Sequence, residues 1–221
     1  MGDVRKILVV TGTRREASAL GGVVGLNVLA GGSDPAGLET RLLAAAQAGA
    51  AGIVRCGMGG ALDPALRLGD WVIGQQVTGA VEARCDVPWA MALRSALPQA
   101  RLGAVYADGR LIAGVADKQA LHNTSGAIVA DMESHIAARV AAQTGLPLAV
   151  LRCVSDEALS ALPPAISVAM RSDGRIAPGA MLGSILGQPG QIAALVSTGL
   201  RFNRAYRVMA RGAQAALLAL R

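Results

Sequence analysis

The chain has little aromatic character: two Trp, two Tyr and a single Phe make up 2% of 221 residues. That excludes the stacked-base platforms with which single-strand nucleic-acid binders hold their ligand. Histidine is scarce too, and His122 and His135 have no partner at metal-ligand spacing. Cys56, Cys85 and Cys153 also lack metal spacing, so no metal site is expected. Cys56 and Cys153 lie in apolar runs, which fits buried reduced thiols and a cytoplasmic setting. The chain runs straight into strand-like residues, so no secretory signal is expected. The stretch from Ile176 to Leu200 has no charge, but Pro178, Pro189, Gln188, Gln191 and several Gly interrupt it. It lacks the roughly 20 continuous apolar residues of a membrane-spanning helix. An apolar surface or lid remains the reading.

What the chain does contain is apolar residues, at 52%, enough to bury the core of one α/β domain covering residues 1–221. Its formal charge is +6. The arginines are dispersed, with a modest concentration at Arg201, Arg204, Arg207 and Arg211. This balance suits an anionic small substrate or a membrane surface better than a nucleic-acid groove. A solvated, arginine-biased surface is the plain alternative.

Lys6–Thr11 reads as a buried strand, and Gly12-Thr13 turns it into a helix that starts with Arg14, Arg15 and Glu16. Residues 23–30 form a second strand closed by Gly31-Gly32, and Asp34 caps the next helix. Residues 51–56 form a third strand, ending in the loop Gly57-Met58-Gly59-Gly60. Further strands are expected over 70–77, 102–107, 127–130 and 148–154, with helices over 117–123, 131–144 and 191–220. The last helix has candidate bends at Gly199 and Gly212. This alternation implies a three-layer α/β/α domain around a mixed, largely parallel sheet covered on both faces.

Two acidic clusters carry the chemistry. Asp131-Met132-Glu133 opens one helix, and Arg152-Cys153-Val154-Ser155-Asp156 closes the strand after it. Both lie at element ends, where open α/β sheets bind ligands, and a carboxylate pair at one cleft can do acid–base work on a glycosidic bond. Taken singly, Asp131 and Glu133 read equally as acids at a helix start, and Asp156 as a cap. Glu16 either complements a helix dipole or positions a water or a ribose hydroxyl. Arg14 and Arg15 beside it could serve an anion. Arg55 leads into the glycine loop, where it either holds a phosphate or sits in an interior ion pair. The glycine loop lets a backbone approach sugar or phosphate, or simply turns. It is neither a Walker loop nor a full dinucleotide fingerprint.

In order, these blocks resemble the nucleoside phosphorylase superfamily, which includes purine nucleoside phosphorylases and methylthioadenosine/S-adenosylhomocysteine nucleosidases. The likeness covers roughly residues 5–158: Gly12 and Glu16, Gly57 to Leu62 with Leu68-Gly69-Asp70, Asp131-Met132-Glu133, and Arg152 to Asp156. The segment Gly183 to Gly190 extends it toward the hopanoid-associated phosphorylases, which are assigned to removing adenine from adenosylhopane.

The resemblance implies cleavage of the N-glycosidic bond of an adenine nucleoside. Glu133 would bind the ribose hydroxyls, with Met132 under the sugar. Asp156 would protonate N7 of the purine, oriented by Ser155 and Arg152. Backbone groups near Leu111 and Ile112 would read the base edge, and Met58 and Gly59 of the glycine run would approach the sugar or phosphate. Glu16 matches the glutamate that activates water in nucleosidases; Arg55, with Gly12, Arg14 and Arg15, would form an anion site in phosphorylases. The expectation leans toward phosphorolysis, with inorganic phosphate as co-substrate and no other cofactor. Hydrolysis of a methylthioadenosine-like nucleoside is the alternative, and a non-catalytic nucleoside-binding or membrane-surface protein a further one. Met58 replaces a serine found in many relatives, Asp108-Gly109 stands where many have Gly-Asp, and the usual aromatic walls are missing. These departures suit a large apolar 5′ substituent, with residues 176–200 forming an apolar channel or lid at Leu182 and Ile185. The partners implied are a small purine nucleoside, in one form lipid-linked, and further copies of the chain in a homo-oligomer. Peripheral membrane contact stays open, and no nucleic acid is expected.

Overall fold

The computed structural model describes residues 6–31, 34–169 and 177–220. Its frame is an eight-stranded mixed sheet. Strand β1 (Lys6–Thr11) pairs in parallel with β2 (Leu26–Ala30) on one side and with β3 (Ala50–Ala61) on the other. Beyond β3 the sheet closes on itself. β3 pairs with β7 (Ala127–Asp131), β7 with β6 (Arg101–Ala107), β6 with β4 (Trp71–Gly79), and β4 with β8 (Leu148–Asp156). β8 returns to β3 along almost its whole length. A short β5 (Ala83–Arg84) hangs on β4. In place of the expected open sheet edge there is a closed ring of five strands with three appended, β1 and β2 on the β3 side and β5 on β4. Ring closure removes edges that would otherwise expose unpaired backbone groups.

Alternation along β1 explains the layering. Leu8 and Val10 join one apolar cluster with α2 (Pro35–Gln47) and α5 (Ser134–Thr144) through Leu38, Leu42, Ile136 and Val140. Ile7 and Val9 face the opposite way, toward α1 (Arg14–Leu20), α3 (Val87–Ala96) and α8 (Ile192–Leu218) through Leu20, Leu93 and Met209. Successive side chains on a strand point to opposite faces, so one apolar strand glues two helical layers. All three cysteines are free and buried, and burial pushes each thiol up to about 12. They are therefore inert packing residues.

Several boundaries differ from the sequence expectation. The run Gly57-Met58-Gly59-Gly60 is not a loop but the continuation of β3, paired with β8. A Cβ at Gly59 would meet the carbonyl oxygen of Ala130 at 2.8 Å, so the glycine allows β7 to close against β3. Residues 131–133 precede α5 rather than opening it, because Asp131 ends β7 and its carboxylate receives the N–H groups of Glu133 (2.8 Å) and Ser134 (2.7 Å). Helix α3, capped by Asp86 through the Trp89 N–H, was not expected, nor were α6 (Pro164–Ala169) and α7 (Pro178–Gly187). Between α3 and α4 (Val115–Ser125) lies β6, whose C-terminal end feeds the loop that carries Leu111 and Ile112. Gly32 and Ile176 lie outside the described residues.

Candidate active site

One cavity of about 240 Å³ gathers most of the residues singled out in the sequence. Gly12, Glu16, Arg55, Met58, Gly59, Leu111, Ile112, Met132, Glu133, Ser155 and Asp156 all line it. They come from the C-terminal ends of β1, β7 and β8, from β3 between Arg55 and Gly59, from the first turn of α1 and from the loop after β6. Arg14 and Arg15 do not line it. Both are exposed, and Arg15 turns to α8, where it donates to Asn203 (2.6 Å) and stacks 4.0 Å from the Tyr206 ring. The expected anion site thus loses two of its cations, since α1 directs them outward from the helix start.

Glu16 is buried at 3% exposure and held by three donors. The Thr13 N–H (2.7 Å) and hydroxyl (3.0 Å) reach Oε2, and the Met58 N–H (2.9 Å) reaches Oε1. Thr13 in turn caps α1, so a capping box fixes this carboxylate. Across Gly12 stand Arg55 and Glu133, which form an ion pair. The Arg55 guanidinium also donates to Val10 O (3.0 Å), while its Nε–H has no partner. Burial works against the Arg55 charge, but Glu133, Asp131 and Glu16 around it outweigh burial and raise its pKa. The interior ion pair was one of the two roles open to Arg55, and it is the role the geometry shows.

Arg152 does not orient Asp156. Its Nε donates to Asp131 Oδ2 at 2.6 Å and its Nη2 to Ser134 at 3.1 Å. Four residues along a strand span roughly 13 Å, which puts Asp156 out of reach. Burial first, then the nearby Arg55 charge, pushes the Arg152 pKa down. Burial alone would raise Asp131, but Arg152 and Arg55 together hold it below the usual carboxylate range. Asp131 is thus a structural acid, tied into the sheet, that sets the start of α5.

Asp156 is held instead by Ser155 and by a residue that sequence reading missed. Ser155 Oγ lies 2.7 Å from Asp156 Oδ1 and 3.1 Å from Gly59 O. Lys118 of α4 forms an ion pair with Asp156 Oδ2 and is 1% exposed. Sequence alone gave no sign of this, because a lysine on a short polar helix reads as solvated. Only the fold of the loop after β8 over α4 buries it. Phe202, Leu162, Leu62 and Arg110 were also not assigned to the site and line the cavity. Arg110 stands at the rim, paired with Asp108. Trp89 packs on Gly52 of β3, and Phe202 is the one aromatic side chain among the lining residues.

The expected lid is displaced. Among residues 177–200 none lines the cavity, and Leu182 and Leu186 of α7 are exposed. Gln191 ties this segment down through Ala165 N (2.9 Å) and Ser184 O (2.8 Å). Among the described residues no cluster of His, Cys, Asp and Glu could hold a metal ion, and no helix is long and apolar enough to cross a membrane.

The closed α/β frame brings Glu16, Glu133 and Asp156 to one pocket, each anchored by named donors, an arrangement suited to acid–base bond cleavage. Residues 7–169 match the family model of the phosphorylase superfamily, more than half of the chain, and the chain belongs to that family. A comparison with curated proteins finds no sequence match. Among solved structures, futalosine hydrolase of Helicobacter pylori superposes with a TM-score of 0.70 at 14% identity, covering 97% of each chain. S-adenosylhomocysteine nucleosidase from Streptococcus pyogenes, in complex with 5-methylthiotubericidin, gives 0.69 at 16% identity over 100% of this chain and 99% of that one. The Helicobacter pylori 5′-methylthioadenosine/S-adenosylhomocysteine nucleosidase with butyl-thio-DADMe-Immucillin-A gives 0.66 at 14%, over 96% and 97%. At such identities the likeness is one of fold.

Proposed function

We propose that this protein cleaves the N-glycosidic bond of an adenine nucleoside, with water as the nucleophile. The observation that carries this reading is the charge pairing inside the cavity. Arg55 pairs with Glu133, Lys118 with Asp156 and Arg110 with Asp108, while Arg152 behind the wall pairs with Asp131. Among the described residues no ion pair reaches Glu16. A phosphate oxygen about 4 Å from Glu16 would meet a repulsion of about 4 kcal/mol per unit charge at an effective dielectric near 20. A water there meets an acceptor. A carboxylate offers about four lone-pair positions; three are taken by Thr13 and Met58, which leaves one for the proton of an attacking water.

The steps follow from the placement. Asp156 supplies a proton to N7 of the purine, so the base leaves with the electron pair of the broken C–N bond. Glu133, fixed by Arg55, accepts from the ribose hydroxyls while the sugar gains oxocarbenium character, with Met132 beneath it. Glu16 takes the proton of the water that attacks the anomeric carbon. Leu111 and Ile112 stand at the base edge, and Leu62, Leu162 and Phe202 give the remaining wall an apolar character that suits an apolar 5′ substituent, adenosylhopane among the candidates. One observation favours phosphorolysis as a second reading: the buried Arg55 Nε–H has no partner and could meet a visiting anion.

The direct test follows free adenine from adenosine and a series of 5′-alkylthio adenosines of increasing length. The reading expects adenine release from adenosine, with kcat/KM rising along the series. A folded protein that releases no adenine from any of them refutes it.

A further inference from the structure

Lys118 has no role in those steps, yet it is the most deeply enclosed ammonium near the site. A buried charge survives only where its donors are met. Here the ammonium has three N–H groups and meets three acceptors: the Asp156 carboxylate, Glu157 O at 3.0 Å and Ser160 O at 2.9 Å. It therefore pins the residues after β8 onto α4, and Leu162 N–H closes the same stretch on Ala113 O at 3.0 Å. The arrangement fixes the Asp156 oxygens relative to Gly60, where a Cβ would stand 3.0 Å from Oδ2.

Position alone does not explain the choice of lysine. An ionised Asp156 is purely an acceptor and has no proton to give to a base. Lys118 carries one in direct hydrogen-bond contact. We propose that Lys118 is a positioning residue that fixes Asp156 and also stores the proton Asp156 passes to the departing base. This rests on the reading of Asp156 as the group that protonates the purine.

The proton count closes. Lys118 Nζ gives a proton to Asp156 Oδ2 and becomes a neutral amine. Its two remaining N–H groups match the carbonyls of Glu157 and Ser160, and its lone pair accepts the new Asp156 O–H. As the C–N bond breaks, its electrons pass to the purine and N7 takes the proton from Asp156. The attacking water leaves its proton on Glu16. After the products depart, Glu16 releases one proton to solvent and the Lys118–Asp156 pair takes one back. No oxidant, metal or further reactant enters.

Arginine separates the two halves of the proposal. It keeps the charge and can hold Asp156, but it does not give up its proton. Wild type, Lys118→Arg and Lys118→Met are compared on adenosine and on a 4-nitrophenyl riboside, whose leaving group departs without a proton. The expected result is a fall in kcat of about 10²–10⁴ on adenosine for both variants, with a far smaller fall in nitrophenolate release, above all for Lys118→Arg. Equal losses on the two substrates, or wild-type adenosine turnover by Lys118→Arg, overturn the proposal. Should Lys118→Met fail to fold, the Lys118→Arg ratio still decides. A folded wild type that cleaves neither substrate overturns the parent reading and the proposal together; wild-type cleavage with equal losses in the variants overturns the proposal alone.

Discussion

Replacing Glu16 by Gln tests the nucleophile end of the cavity most sharply. The change is nearly isosteric, so packing is spared. The three donors that hold the carboxylate are not spared, because an amide can accept on one side only. Turned with its oxygen toward Thr13, the amide keeps two hydrogen bonds and presents N–H groups to the Met58 N–H; turned the other way it faces the Thr13 N–H. Either way a part-buried donor loses its partner, at about 1–3 kcal/mol where water does not replace it. For a chain of this size that lowers the melting temperature by about 2–12 °C. The base is lost as well, which lowers kcat by about 10²–10⁴. Calorimetry gives the first number, and adenine release far below the melting transition gives the second. A Glu16→Gln protein with a lowered melting temperature and wild-type kcat would leave Glu16 as a capping residue and no more, with no part in activating water.

Gly59→Ala puts a Cβ 2.8 Å from the Ala130 carbonyl oxygen and 3.0 Å from Val129 Cγ2, so strand β7 must shift. A loss of about 1–3 kcal/mol is expected in denaturant unfolding; an unaltered midpoint would show that β3 and β7 are not packed as described. His135 provides a pH test. Burial, then the Arg139 charge, lowers its pKa, so the unfolded chain binds its proton first. Stability is full above the unfolded value of about 6.5 and is lost as the pH falls toward the folded value, at no more than about 1.4 kcal/mol per pH unit. His135→Gln should remove that limb from a plot of unfolding free energy against pH, and parallel wild-type and variant curves would contradict the assignment.

Much of the frame was legible because strong local signals agreed with the tertiary structure. The β1 run, the Thr13–Glu16 turn, the Asp34 cap and the apolar β8 each carry a physical signature in sequence. Three features were not legible, for one shared reason: they depend on contacts between distant elements. The glycine run looks like a loop until β7 and β8 are placed against it. Arg152 stands near Asp156 in sequence, but strand rise separates them and the fold offers Asp131 instead. Lys118 becomes a buried partner only once the residues after β8 cross α4. Arg55 is an intermediate case, since an arginine in an apolar strand demands a partner, and sequence left open whether that was an anion or Glu133.

The identity of the sugar product separates water from phosphate as the nucleophile. Adenosine is incubated with the protein in phosphate-free buffer and again with millimolar phosphate, and adenine, ribose and ribose 1-phosphate are quantified. Hydrolysis driven by Asp156 and Glu16 predicts equal adenine release in both, with free ribose as the sugar. Adenine released only when phosphate is present, with ribose 1-phosphate beside it, would contradict the account and return Arg55 to the role of an anion ligand.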